Sequence, residues 1–150
     1  MSPYKHSQPG TYARVTFGAL ALLTFAAALY LGTDDSKAIW VFGGMAALML
    51  AGLLLFHCLT VEVVRGYLRF RFGIGLIHRQ FRVRDIESAE KVRNRWFYGW
   101  GIKLTPHGWL FSVSGFDAIQ IKLKNGRQYR IGTDEPGALL SALESAMKRA

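Results

Sequence analysis

The chain carries a single cysteine, Cys58, so no internal disulfide can form and cysteine usage leaves the redox compartment open. It also lacks the usual clusters of catalytic groups. No serine, cysteine or histidine stands in a nucleophile–base pattern, and no His/Cys set has metal-ligand spacing. Gly73-Ile74-Gly75 and Gly99-Trp100-Gly101 lack the third glycine and the strand-to-helix setting of a dinucleotide loop, and read as bulges or turns. There is no long repeat, low-complexity tract or flexible linker. The most informative absence is of charge. Val15–Gly32 and Ala38–Leu59 contain no Asp, Glu, Lys or Arg, and only Thr33-Asp34-Asp35-Ser36-Lys37 separates them.

What fills those two runs is apolar. As helices they would rise about 27 Å and 33 Å, against a bilayer core of roughly 30 Å. The expected arrangement is a transmembrane helical hairpin, with spans at about residues 14–32 and 38–59 in an N-terminal unit of residues 1–59. Lys5 and Arg14 before the first run, and Ala26-Ala27-Ala28 within it, have the flavour of a secretory leader. The uncharged stretch is long for one, and cleavage would leave the second run without its partner. Arg65, Arg69, Arg71 and Arg79 follow the second run closely, whereas the short loop has one lysine. Both termini are therefore expected on the cytoplasmic side. Tyr12, Tyr30 and Trp40 stand at span ends, where amphipathic rings favour the interface. Gly43, Ala47 and Ala51 recur every fourth residue, a spacing that lets helices approach closely. Packing against Ala28 and Gly32 is the favoured use of that stripe, dimerisation the sharper one.

Of the net charge of +9, +8 falls in residues 61–150, which hold sixteen basic and eight acidic residues. There the period changes to two. Leu68, Phe70 and Phe72 alternate with Tyr67, Arg69 and Arg71. Ile77, Phe81 and Val83 share a face with Arg79, opposite His78, Gln80, Arg82 and Arg84. Ile119, Ile121 and Leu123 alternate with Gln120, Lys122 and Lys124. Such patterns suit half-buried antiparallel strands. Turn signals at Arg65-Gly66, Gly73-Ile74-Gly75, Pro106-His107-Gly108 and Asn125-Gly126 divide seven strands, at about 60–65, 67–72, 76–84, 86–92, 100–105, 109–114 and 117–124. A short eighth falls at 127–132. A terminal helix follows, capped by Thr133 or Asp134, with Pro136 in its first turn and an apolar stripe of Leu139, Leu140, Leu143 and Met147. The fold class is thus an α+β membrane protein: a two-helix hairpin, then a β-rich barrel over residues 60–150 closed by a helix. Leu59-Thr60 leads almost directly from span to strand, so the barrel must lie close to the bilayer.

Tyr98-Gly99-Trp100-Gly101-Ile102, Ala118–Leu123, Asn125-Gly126-Arg127 and Ile131-Gly132-Thr133-Asp134-Glu135-Pro136 carry a resemblance. Residues 60–147 resemble bacterial membrane proteins with a pleckstrin-homology-like domain, in which a YGxGI stretch precedes a strand ending in NGR and an IGTDxP helix start. The resemblance implies a partly open, strongly bent antiparallel barrel of about seven strands with a C-terminal capping helix. It brings no catalytic residues. Eukaryotic pleckstrin-homology domains often bind phosphoinositides near the first hairpin, and Arg65, Arg69 and Arg71 occupy a comparable place here.

The candidate sites are surfaces. Arg65, Arg69, Arg71, Arg82, Arg84, Lys122 and Lys124, with Arg127 and Arg130, occupy mostly polar-phase positions. An anionic leaflet attracts such residues by roughly 1 kcal/mol each. They suit peripheral contact with lipid headgroups, or they serve only topology and solubility. Arg93-Asn94-Arg95-Trp96-Phe97-Tyr98-Gly99-Trp100 is the most unusual stretch. Arg93, Arg95, Trp96, Phe97, Tyr98 and Trp100 can form an interfacial wedge, a loop that docks a membrane protein, or, with two rings turned in, a plug for the barrel mouth. Nucleic acid is not an expected partner of a membrane-tethered unit without a recognised binding motif. His57 and Cys58 read as an interfacial histidine and a buried thiol at the end of the second span, and Asp85, Glu87 and Glu90 as partners of Arg82, Arg84 and Lys91. No metal or cofactor is expected. The expected function is a non-enzymatic, membrane-anchored binding module, the alternative an accessory or assembly subunit docking through the aromatic loop.

Overall fold

A computed structural model describes residues 4–31 and 36–150. The chain is mixed α+β. Its elements, in order, are β1 (Tyr4–Pro9), α1 (Thr11–Leu31), α2 (Ser36–Phe56), β2 (Cys58–Val64), β3 (Tyr67–Phe72), β4 (Ile77–Arg82), β5 (Ile86–Arg93), β6 (Gly101–Thr105), β7 (Gly108–Ser112), β8 (Asp117–Leu123), β9 (Gln128–Gly132) and α3 (Pro136–Met147). Both apolar runs form helices long and apolar enough to cross a membrane, and the body of the molecule covers neither. Most of the short loop expected beyond the membrane, residues 32–35, lies outside the described residues, and so does Gly32 of the expected small-residue contact.

The helices pack on each other, though not along the expected stripe. Gly43, Ala47 and Ala51 face outward, and the space beside Gly43 is open. The small residue at the helix–helix contact is Gly52, seated against the Phe17 ring. An aromatic ring needs a neighbour without a Cβ, and that demand is local, so a four-residue spacing did not reveal it.

The second helix is shorter than the uncharged run. It stops at Phe56, and Cys58 and fully buried Leu59 already belong to β2. His57 sits at the bend with its Nδ1 3.0 Å from the Leu54 carbonyl. His57 and Cys58 are therefore not neighbours on a helix. Hydropathy extends across the boundary because both sides of it are apolar for different reasons, α2 as one of two uncovered apolar helices and β2 as a strand of the β core.

Two sheets form the rest. Sheet one has the order β1-β2-β3-β4 and sheet two β5-β8-β9-β7-β6. Their facing sides supply the core: Leu59, Val61, Val63, Leu68, Phe70 and Phe72 against Phe111, Ile119, Ile121, Leu123 and Ile131, joined by Leu139 and Leu143 of α3. The alternations of β3 and β8 and the helix stripe thus point where the sequence period places them. Asn125-Gly126 turns β8 into β9, with Gly126 at φ +83°.

Four features differ from expectation. First, the N-terminal tail is a strand: β1 pairs with β2 from Tyr4↔Val63 to Pro9↔Cys58. Second, β7 and β9 run parallel. The chain leaves β7, skips one strand position to form β8, and returns in the gap, so the all-antiparallel pattern fails at that pairing. Third, residues 83–85 are a 3₁₀ turn that carries the chain from one sheet to the other. Fourth, the capping residues of α3 act differently. Thr133 Oγ1 accepts from the Glu135 amide at 3.1 Å, and Asp134 pairs with His6 of β1 at 2.7 Å.

The helical hairpin enters the sheets without a linker. Gly10 donates to the His57 carbonyl at 2.8 Å, Gly73 to the Cys58 carbonyl at 2.8 Å and Ile74 to the Leu54 carbonyl at 3.3 Å. The β3–β4 turn and the start of α1 thus satisfy carbonyls left over at the end of α2. A Cβ on Gly10 would strike the Phe56 carbonyl oxygen, and one on Gly73 (φ +45°) the carbonyl oxygens of Leu54 and Leu55.

Two outcomes are expected. Gly10→Ala and Gly73→Ala should each destabilise the detergent-solubilised chain by about 3 kcal/mol or more. Gly66→Ala, at φ +76° in open space, should cost only about 1 kcal/mol in the same thermal melt. Residues 58–150 alone should unfold at lower urea than a version in which residues 4–9 are joined to Cys58 by a short Gly-Ser turn. The loss of β1 removes several backbone hydrogen bonds at about 1 kcal/mol each.

Candidate functional site

Strand direction divides the β unit into two ends. In sheet one, β1 and β3 finish and β2 and β4 begin where α1 and α2 attach; in sheet two, β5, β7 and β9 finish and β6 and β8 begin on a common side, which meets β1 along its length, from Gln8 at Ser114 to His6 at Asp134. At this helix end lie the β3–β4 turn, residues 73–76, the β5–β6 loop, residues 94–100, and the β7–β8 turn, residues 113–116. The far end carries Arg65-Gly66, the 3₁₀ turn and the Asn125-Gly126 turn.

The base of the hairpin is tied to sheet two. The Tyr12 ring, in the first turn of α1, stacks on Trp100 with centroids 3.9 Å apart and planes at 12°. Trp100 Nε1 donates to the Gly115 carbonyl at 3.0 Å. Gln8 Nε2 donates to the Ser114 carbonyl (3.0 Å) and hydroxyl (2.8 Å), and that hydroxyl donates to the Pro9 carbonyl at 3.0 Å.

The aromatic loop splits in two. Trp100 is occupied by Tyr12, and Tyr98 is half-buried. Trp96 and Phe97, on the 3₁₀ turn Trp96–Tyr98, stay 78% and 56% exposed. The Arg95 guanidinium lies over the Phe97 ring at 5.8 Å, and Arg93 ends β5 opposite Asp117.

The loop folds over the outer side of sheet two. Arg130, on that side, is only 7% exposed, and neighbouring Leu110 is fully buried. Arg130 Nε donates to Gln120 Oε1 at 2.8 Å and Nη1 to Asn94 Oδ1 at 3.2 Å. Burial pushes the guanidinium down from its ordinary value, and the fields of Tyr98 and Glu90 oppose that. It remains a cation. Gly99, beside the Lys103 ammonium, has φ +62°, a conformation that disfavours any side chain there. Arg130 is thus a brace for the loop and not part of a basic surface. Its alternation resembles that of the exposed arginines, and only the loop's path reveals the difference.

The other cations are dispersed. Arg71 reaches along the β3–β4 turn, with its Cδ beside Gly75, and lies at the helix end. Arg69 is mid-strand, over the Tyr67 ring at 5.4 Å. Arg65, Arg82, Arg84 and Lys124 are at the far end, about 13 Å or more along the strands from Arg71. Lys122 is paired with Glu87 at 3.0 Å, and Asp85 approaches Arg84 only at 3.9 Å. The acidic residues therefore pair partly as expected, with Lys122 taking Glu87.

Two residues at the helix end were not singled out from sequence. Ile74 and Leu76, in the β3–β4 turn, are 59% and 72% exposed. The available signal was two large apolar side chains inside a glycine-marked turn. Among the described residues, no group of three or more His, Cys, Asp or Glu comes together.

Compared with known proteins, the chain matches no family model and no curated sequence.

Arg130→Ala leaves Asn94 and Gln120 without their donor in a buried place. It should lower stability by about 2 kcal/mol, whereas Arg69→Ala should stay within about 0.5 kcal/mol, both measured by urea denaturation of the full chain in detergent.

Proposed function

We propose that the protein is a membrane-anchored binding module without catalytic chemistry. In this reading α1 and α2 cross a bacterial inner membrane as a hairpin, with both termini cytoplasmic. The β unit rests against the inner leaflet and contacts anionic headgroups. The observation that carries the proposal is the linker-free junction of two uncovered apolar helices with β1 and β2. Each helix is about 31 Å long, matched to a bilayer core. Leaving its side chains in water would forfeit roughly 25 cal/mol for every Å² of apolar surface that lipid could take up. The arginines that follow α2 favour retention of that side in the cytoplasm.

Two packed sheets with a C-terminal helix support the pleckstrin-homology-like reading. The parallel β7–β9 pair and the two open sheets depart from the bent antiparallel barrel which that resemblance implies. A second reading, an accessory subunit that docks a membrane protein through residues 93–100, is favoured by the outward Trp96 and Phe97, since such rings are typical interface anchors.

Alkaline carbonate should leave the full-length protein in the membrane pellet. Protease should digest the β unit in inverted vesicles and spare it in spheroplasts. Release by carbonate would overturn the anchor, and digestion in spheroplasts the orientation. Crosslinking in native membranes decides the second reading: a species crosslinked to the wild type and lost in Trp96→Ser/Phe97→Ser supports docking, and an unchanged pattern removes it.

A further inference from the structure

We propose that the helix end of the β unit is a lipid-contacting rim, in which Ile74 and Leu76 from one loop and Trp96 and Phe97 from another enter the headgroup zone of the bilayer that α1 and α2 span. This rests on the anchored reading above and specifies its contact.

The two loops belong to different sheets and meet at the hairpin base from opposite sides. Ile74 lies at the end of α2, where its amide donates to the Leu54 carbonyl. Trp96 and Phe97 sit four and three residues before Trp100, whose ring is stacked on Tyr12 at the start of α1. Ile74 and Leu76 thus adjoin the end of α2, and the loop that carries Trp96 and Phe97 is anchored through Trp100 to the start of α1.

Charge fits the same occupant. Arg71 lies along the β3–β4 turn, Arg93 and Arg95 stand at the start of the β5–β6 loop, and Arg14 stands in the first turn of α1. Cations with long apolar stems beside buried rings are suited to the headgroup layer, where the ring occupies the boundary and the guanidinium reaches phosphate. A water-filled gap suits neither. At physiological ionic strength attraction to an anionic surface fades over about 8 Å, which favours these four over Arg65, Arg82, Arg84 and Lys124 at the far end.

The rim is also held in place. Asn94 is bonded to Arg130 at one root of its loop and Trp100 is clamped at the other. Gly73 locks the second loop against α2. The exposed side chains are thus displayed by fixed backbone, and contact with lipid orders little that is free.

The test uses the full chain with Cys58→Ser and one new cysteine at Ile74, Leu76, Trp96 or, as a far-end control, Asn125. Each carries an environment-sensitive fluorophore and is reconstituted in vesicles of phosphatidylcholine and phosphatidylglycerol. Labels at 74, 76 and 96 should lose most of their quenching by aqueous iodide and gain quenching by lipids spin-labelled near the headgroup. The label at 125 should do neither. Iodide quenching at 74, 76 and 96 equal to that at 125 overturns the rim while carbonate-resistant anchoring still stands. Shielding seen in native membranes and absent from these vesicles overturns it in favour of a protein cover. Loss of carbonate resistance removes the anchor itself.

Discussion

A helix ends with carbonyls that no residue of its own can satisfy, and where α2 stops they meet other parts of the same chain. Leu54 accepts from Ile74, His57 from Gly10, and the first residue beyond the bend, Cys58, from Gly73. These bonds require backbone to approach backbone, which only glycine allows at positions 10 and 73. Their consequence is mechanical. α1 and α2 continue as β1 and β2, so the helical hairpin and the first sheet are one ladder that changes from helix pairing to strand pairing over a few residues. The stack of Tyr12 on Trp100 and the Gln8–Ser114 bonds extend the same body into sheet two. No segment between helices and sheets is left to act as a hinge.

Rigid attachment changes what the charge of the chain means. A net charge of +9 invites a uniform picture of a basic domain lying on an anionic surface. With the strands fixed to the hairpin, each cation has a height. Arg71 stands at the end of β3 beside the base of α2, while Arg65 and Arg82 stand at the opposite ends of β2 and β4. A strand of six residues spans about 17 Å, twice the screening distance under physiological salt. The sign of a residue is thus less informative than the strand end it occupies: of the seven residues grouped by charge alone, Arg71 lies at the helix end, Arg65, Arg82, Arg84 and Lys124 at the far end, Arg69 in mid-strand, and Lys122 is paired with Glu87.

Much of this was readable in advance, and the unread parts have physical reasons. β3 and β8 bury one face each, so their alternation is written in Leu68, Phe70 and Phe72 and in Ile119, Ile121 and Leu123. α3 likewise shows its stripe in Leu139 and Leu143. β1 was invisible because its inward residues are Tyr4, His6 and Gln8, whose partners are polar groups far away in sequence, Asp134 and Ser114 among them. Its pairing with β2 is a backbone property that side-chain pattern does not encode. The parallel β7–β9 pair escaped for a related reason: hairpin signals report neighbours in sequence, and this pairing skips one. At the candidate surface, the aromatic loop stood out by composition, but composition could not separate Trp100 from Trp96. Only the position of Tyr12 does that. Arg130 was grouped with the exposed arginines because it alternates as they do, and its burial depends on a loop thirty residues earlier.

The helix-end loops show a balance that bears on why they are shaped as they are. A large ring left in water is unfavourable, and a mobile loop would relieve that by folding Trp96 onto the sheet, where Leu110 is already covered. Here the backbone prevents it. Arg130 holds Asn94 and α1 engages Trp100, so both roots of the loop are fixed, and the 3₁₀ turn between them carries Trp96 and Phe97 outward. The buried guanidinium that secures the loop is itself costly, since it bonds to the neutral amide oxygens of Gln120 and Asn94, with the field of Glu90 offsetting part of the cost. Two unfavourable features, an exposed aromatic pair and a desolvated cation, are therefore linked through Asn94 at the root of the loop. Such an arrangement is favourable overall when the outward rings leave water for an apolar boundary, which is the environment the proposed lipid contact would give them.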